Sequence, residues 1–159
     1  MPPNPSYGIA DVEDMASLSG LEFLRAMIAG ELPAPPMAAT LGFRLVEAEE
    51  GRAVFEAEPS PALLNPLGSV HGGWALTLID SAAGCAVHTL LAAGIGYTTV
   101  ETKVNFARPI APEGRAVRCT GTVVTRGRRI ATAEARLASA DGRILAHGSS
   151  TLMILDPRG

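Results

Sequence analysis

Gly72 and Gly73 stand where a loop containing Pro66 and Gly68 gives way to the longest helical pattern in the chain, residues 71–93, and Asp80 follows eight positions after Gly72. The first amides of a helix have no partner inside it, and the helix dipole makes that end electropositive. Glycine there lets a ligand approach the backbone closely. A carbonyl oxygen gaining negative charge would find a ready oxyanion hole. Spacing alone fits a plain helix start with permissive glycines at least as well, and it is Asp80 that shifts the balance.

At 100° per residue, Leu76, Ile79, Ala83, Val87 and Leu90 form one apolar stripe, and Asp80 falls within its edge. A carboxylate facing apolar neighbours is costly unless it is paired, hydrogen-bonded or neutralised, so such residues tend to carry function. The bland alternative is a solvated aspartate at the stripe margin. If both features act, geometry adds a condition. Eight helical residues span about 12 Å and turn about 80°, so one reacting carbon cannot touch both Gly72 and Asp80 of one chain. The aspartate must then come from a neighbouring subunit, and the protein must be at least a dimer.

The elements that would position these residues are readable from periodicity. Residues 1–18 read as a flexible, proline-rich lead-in, and 19–159 as a single domain. Ser19-Gly-Leu-Glu22 has capping-box spacing and opens a short amphipathic helix that stops at Gly30. Pro33-Ala-Pro-Pro36 then predicts an extended connector. Residues 41–58 read as two strands turning near Glu50-Gly51, and 59–70 as a loop. After Gly94-Ile-Gly96 the period becomes alternating: Val100, Thr102, Val104 and Phe106 face one way, Thr99, Glu101, Lys103 and Asn105 the other. Three more strands follow, near 115–125, 129–139 and 143–155, the last two joined by a two-residue Asp141-Gly142 hairpin. The expected architecture is α+β: a hairpin, one long helix, then a four-strand meander.

Composition sets bounds. The chain has 159 residues, 47% hydrophobic and 18% charged, which fits one globular domain. Its formal net charge of −3 leaves no basic footprint for nucleic acid. The N-terminal stretch lacks the charged and apolar regions of a secretory signal. Ser81–Val100 is uncharged and long enough for a membrane span, but its glycines, His88 and paired threonines fit a helix running into a strand better. Cys85 and Cys119 are far apart and match no metal or disulfide pattern, in keeping with a reduced, cytoplasmic setting. Nucleophile-elbow, phosphate-loop and complete dinucleotide motifs are absent, and three scattered histidines give no zinc spacing.

The run Asn65-Pro-Leu-Gly-Ser-Val-His-Gly-Gly-Trp-Ala-Leu-Thr-Leu-Ile-Asp80 resembles the signature of hotdog-fold acyl-CoA thioesterases of the PaaI-like, phenylacetic acid degradation type. Flanking text agrees, with LPAPPMAATLGF upstream and YTTVETKVNFARP and GRRIATAEA downstream. The likeness spans roughly residues 19–155. It implies a long helix wrapped by a curved antiparallel sheet of five to six strands, with active sites at subunit interfaces, in a dimer at minimum and more often a tetramer. It implies hydrolysis of an aryl- or medium-chain acyl-CoA, with no metal and no cofactor beyond the coenzyme A of the substrate. Carried over by position, Asp80 is the residue that activates water or attacks the thioester. Gly72 supplies the polarising amide, Asn65 positions the water or carboxylate, His71 stands beside the oxyanion site, and Thr99 is a weaker match near the water. Arg126, Arg128 and Arg129 are candidates for the coenzyme A phosphates, against the plainer reading of a solvated turn. Two rivals stay open: a hotdog hydratase or dehydratase of acyl thioesters, and a non-catalytic acyl-CoA-binding module.

Overall fold

A computed structural model describes residues 6–157; the parts of the lead-in and C-terminal expectations that fall on 1–5 and 158–159 lie outside the described residues. The chain runs α1 (Val12–Ser17), α2 (Gly20–Ala29), α3 (Pro36–Leu41), β1 (Phe43–Glu49), β2 (Arg52–Ala57), α4 (Gly72–His88), β3 (Gly96–Phe106), β4 (Val117–Arg126), β5 (Ile130–Ala138) and β6 (Ile144–Leu155). All six strands form one antiparallel sheet in the order β1-β2-β4-β5-β6-β3. The sheet curls around α4, which touches every strand. This is the hotdog arrangement, and among the described residues no helix is long and apolar enough to cross a membrane.

Local chemistry explains most of these elements. The Ser19 hydroxyl accepts from the Glu22 amide while the Glu22 carboxylate accepts from the Ser19 amide, closing the capping box that starts α2. Gly30 ends it in the left-handed region at φ 78°. The connector after Pro33 is shorter than the prolines suggest, because Pro36 begins α3 at a position where a missing N–H costs nothing. A second short helix, α1, lies within the stretch read as lead-in. The β5–β6 connection is also longer than expected. Ser139 and Arg143 close a three-residue loop whose last residue, Gly142, takes φ 83°, since that loop needs one left-handed residue rather than two.

One topological expectation fails. Strands β3 to β6 are not a meander, because β3 pairs with β6 at the far edge instead of with β4. Residues 107–116, carrying Pro109 and Pro112, cross the end of the sheet and return the chain beside β2.

Packing explains how tightly the helix is held. Trp74, Ala75, Leu78, Ile79, Ala82, Ala83, Ala86 and Val87 carry buried side chains over an arc of about 220° at 100° per residue, and Gly84 is buried beyond its edge. Trp74 and Leu78, on the side opposite the expected stripe, belong to the chain's own core, and the Trp74 indole N–H donates to the Leu41 carbonyl. Leu76, expected in the stripe, is exposed on the first turns of the helix. The sheet wraps further around α4 than a flat layer would, so a narrow stripe misjudges both edges. His88 is half-buried. It sits between the Phe23 and Tyr97 rings at 5.7 and 5.4 Å, and burial lowers its pKa, which keeps the ring neutral near pH 7.

Candidate active site

Asp80 lies on the margin of the buried arc, facing edge strand β3. Its Oδ1 accepts hydrogen bonds from the hydroxyls of Thr99 and Thr102, both at 2.9 Å. Behind Thr102 lies buried Ser150 at 2.9 Å, and the Ser150 hydroxyl also reaches the Glu101 carbonyl. No protein group hydrogen-bonds to Asp80 Oδ2 among the described residues. The carboxylate is therefore aimed through one oxygen and open at the other.

That two threonines three apart share one target contradicts strict alternation along β3. The pairing with β6 shifts between Thr99 and Glu101, a β-bulge that inserts Val100 as an unpaired residue. Thr99 and Thr102 both turn inward as a result, while Val100 and Glu101 are exposed. Thr102 was missed for this reason. Its only sequence signal is a threonine three positions from Thr99, and that becomes visible once a bulge is allowed.

The wall beside Asp80 is neutral. The Tyr97 ring lies over Gly84, and its hydroxyl is hydrogen-bonded with Cys85. Burial pushes the Cys85 thiol up to about 12, with the Asp80 charge adding to the effect, and drives the Tyr97 hydroxyl well above its usual range. Both stay protonated near neutral pH and leave Asp80 as the group there that can take a proton.

At the other end of the same face, the loop before α4 is built around Asn65. Its Oδ1 accepts from the Leu67 and Ser69 amides, and its Nδ2 donates to the Ser69 hydroxyl. Asn65 thus spends most of its capacity shaping the loop, with one amide proton remaining. The His71 amide donates to the Leu63 carbonyl, which fixes the entry to the helix. His71 is the N-cap, and its Nδ1 accepts from the Gly73 amide at 2.9 Å. An accepting Nδ1 leaves the proton of the neutral ring on Nε2, so His71 presents a donor, which suits an orienting or polarising group better than a base.

The Gly72 amide has no acceptor among the described residues, as expected for a first-turn N–H. It opens onto a cleft of about 440 Å³ lined by Asn65, Gly72, Phe106, Arg108 and Leu145 among others. The Phe106 ring covers this glycine so closely that a Cβ on Gly72 would lie 2.9 Å from it. Asp80 does not line this cleft. The structure brings Asn65, His71 and Gly72 together at one point, and Asp80 with Thr99 at another. The two points are separated by eight residues of unbroken helix, about 12 Å. Arg126, Arg128 and Arg129 are exposed on the β4–β5 hairpin, at the end of the sheet where β3 begins and β6 finishes. Phe106 and Leu145, beside Gly72, mark the opposite end.

Comparison with known proteins bears on the family. The Thioesterase superfamily profile matches residues 67–146, a span that contains the glycine-led helix, Asp80 and both threonines. A thioesterase family protein from Silicibacter pomeroyi is 36% identical, with 76% of this chain and 89% of that one covered and a TM-score of 0.69. A phenylacetic acid degradation-related protein from Ralstonia eutropha JMP134 is 28% identical over 82% of this chain and 98% of its own, with a TM-score of 0.74. A protein of Saccharolobus solfataricus named as a candidate esterase is 29% identical over 115 residues, 72% of this chain and 80% of that one. With a sheet wrapped around a glycine-led helix whose aspartate faces edge strand β3, the chain belongs to the thioesterase superfamily, as a hotdog-fold member of the PaaI-like type.

Proposed function

We propose that this protein hydrolyses acyl-CoA thioesters at sites shared between two subunits, Asp80 coming from one protomer and the Gly72 amide from its partner. The observation that carries the reading is the Asp80 carboxylate, pinned through Oδ1 by two threonines and free at Oδ2, too far along its own helix to meet its own Gly72. The β3 edge supports the dimer. Eleven residues long, β3 pairs with β6 on one side only, and it exposes Val100 and Phe106. Such an edge is a template for a second copy. Pairing β3 with its symmetry mate would bring the two α4 helices alongside each other, and a further association of dimers would give a tetramer.

The reaction then runs as follows. Oδ2 takes a proton from water as the water oxygen bonds to the thioester carbon. The resulting oxyanion is held by the partner's helix N-terminus, chiefly the Gly72 N–H. Collapse breaks the carbon–sulfur bond, and the thiolate recovers the proton from Asp80 to leave as coenzyme A. Direct attack by Oδ2 on the carbon, with water cleaving the acyl-aspartate afterwards, reaches the same products. The Nε2–H of His71 and the remaining Asn65 amide proton orient the carbonyl and the water. A hydratase would need a base poised over the α-carbon, and His71 offers no free ring nitrogen for that, since its Nδ1 already accepts from the Gly73 amide and its proton is on Nε2.

Two experiments test this. Thr99→Val with Thr102→Val removes both donors to Oδ1, and kcat in a thiol-release assay should fall about ten- to hundredfold with little change in KM, the cost of losing hydrogen bonds to a charged group. The second test is complementation. Gly72→Pro deletes the amide donor at a first-turn helix position where His71 already has the extended backbone that a following proline requires (ψ 134°), while its added Cβ would push aside the exposed Phe106 ring, 2.9 Å away. Mixed with Asp80→Asn protomers after unfolding and refolding together, it should recover about a quarter of wild-type activity. Half of a random mixture is heterodimer, and each heterodimer carries one intact site. Recovery no greater than the sum of the two parents would rule out a shared site.

A further inference from the structure

Asp80 has a neighbour one turn further along α4 that no step of the reaction uses. Gly84 is buried, and the Tyr97 ring comes so close over it that a Cβ on Gly84 would stand 2.9 Å from both Cε2 and the hydroxyl oxygen. Asp80, Gly84 and His88 follow one another at four-residue steps, so they form one ridge of the helix. Next to Tyr97 the His88 ring follows at 5.4 Å. Beyond these two rings lies a hollow of about 310 Å³, lined by Met15, Leu18, Phe23, His88, Ile95 and Tyr97 among others. Tyr97 lines it, while Asp80 and Gly84 do not. The ring therefore stands as a wall between the carboxylate and a largely apolar space. The far side of that space is this chain's own addition. Met15 and Leu18 come from α1 and its C-terminal cap, and Phe23 from α2, all ahead of residues 67–146 that the family profile matches.

We infer that Tyr97, resting on Gly84, is a stop that limits the acyl group to about one aromatic ring or a chain of about six carbons, and that the hollow behind it is an extension of the acyl pocket which the ring keeps out of use. The inference rests on the thioesterase reading above and names the acyl class that reading leaves open. In the shared site each Gly72 meets the other protomer's Asp80, so the partner's helix lies alongside residues 72–80. The acyl group is left to run the other way, toward Gly84. One helical turn, about 6 Å, separates Asp80 from Gly84 along the axis. That is about the length of a phenyl ring with one methylene, or about five steps of a zigzag chain at about 1.5 Å per bond. The side chains along this run suit an apolar group. Burial keeps the Cys85 thiol and the Tyr97 hydroxyl protonated and the His88 ring neutral near pH 7. Their mutual hydrogen bond satisfies Cys85 and Tyr97 without water and holds the ring across the path. Only a residue without a Cβ at position 84 lets the ring come down that far onto the helix.

The test measures thiol release from phenylacetyl-, hexanoyl- and dodecanoyl-coenzyme A by the wild type, Tyr97→Val, Tyr97→Phe and Tyr97→Val/Leu18→Trp. Wild-type kcat/KM should be about tenfold or more lower for the dodecanoyl thioester than for the other two, the cost of forcing a chain against a packed ring. Tyr97→Val removes the ring but keeps a strand-forming residue. It should raise the dodecanoyl-to-hexanoyl ratio about a hundredfold, since each methylene that enters apolar surroundings is worth about fourfold. Tyr97→Phe keeps the ring and should keep the wild-type ratio. Adding Leu18→Trp to Tyr97→Val refills the hollow from its far side and should bring that ratio back. A wild type that cleaves dodecanoyl- as readily as hexanoyl-coenzyme A would overturn the assignment with no variant needed. So would an unchanged ratio in Tyr97→Val, or a gain that survives Leu18→Trp. Calorimetry with the S-hexyl and S-dodecyl thioethers of coenzyme A, which cannot be hydrolysed, reads the same ratios without turnover. A dodecyl preference that appears only when the ring is removed supports the stop, and equal ratios in wild type and Tyr97→Val refute it. If that preference appears while no thioester is cleaved, hydrolysis falls and the stop stands.

Discussion

Asp80→Asn should cut kcat for thioester hydrolysis by about a thousandfold or more, the upper part of the range for loss of a positioned general base and a minimum for loss of a nucleophile. The substitution isolates chemistry from structure. The side-chain oxygen of asparagine can still accept from Thr99 and Thr102, so the 2.9 Å contacts that set its orientation survive. What changes is the second position, where an oxygen with lone pairs becomes an NH₂ group that can neither take a proton nor attack carbon. Substrate binding and oligomeric state should match the wild type, as measured by calorimetry and size-exclusion chromatography. Thermal stability should be equal or higher, because a partly buried charge facing Cys85 and Tyr97 is removed. A variant that keeps more than a tenth of wild-type turnover would take Asp80 out of the mechanism. It would leave the helix N-terminus and His71 as the only chemistry on this face.

A large effect on stability is expected at a glycine in the sheet. Gly121, on β4, pairs with Ala53 and Ala135 under the middle of α4. A Cβ there would lie 2.1 Å from the Ala82 carbonyl oxygen and 2.3 Å from its carbon. Both are helix backbone atoms with no rotamer to escape into, so the whole helix would have to lift. Its buried arc from Trp74 to Val87 resists that on both sides. We expect Gly121→Ala to destabilise the protein by about 3–5 kcal/mol, at or beyond the usual cost of overpacking. For a domain of this size, that is a fall in Tm of about 10 °C or more by calorimetry. Gly96→Ala is the matched control. A Cβ at Gly96 meets nothing within 4 Å, and its φ is not positive. Its Tm should stay level or rise slightly, since glycine is entropically costly in a strand. Equal Tm values for the two variants would mean that the helix is not seated on the sheet as closely as described.

The two predictions share a cause. Small residues on both surfaces, including Ala82, Ala83, Ala131, Ala133, Gly121 and Gly148, let α4 sink into the curve of the sheet. A helix sunk that far leaves only a narrow face outside, and Asp80 lies on its border with β3. The close packing that makes Gly121 intolerant is also what brings the aspartate within reach of strand hydroxyls.

By itself, the sequence determined those features that depend on neighbours along the chain. The Ser19–Glu22 box, the Glu50-Gly51 turn, the glycine-led start of α4 and the place of Asp80 at the edge of its apolar face all follow from capping, turn chemistry and helical period. If Asp80 and the Gly72 amide act on one carbon, as proposed, the need for a second subunit also follows from rise and twist over eight residues. Only the tertiary structure decided the rest. Whether β3 joins β4 or crosses to β6, and so becomes an edge, depends on pairing between distant segments that alternation does not encode. The Val100 bulge that turns Thr102 onto Asp80 is a property of the β3–β6 register, which one strand alone cannot specify. The burial of Trp74 and Leu78 likewise arises where chain segments far apart in sequence close on one another.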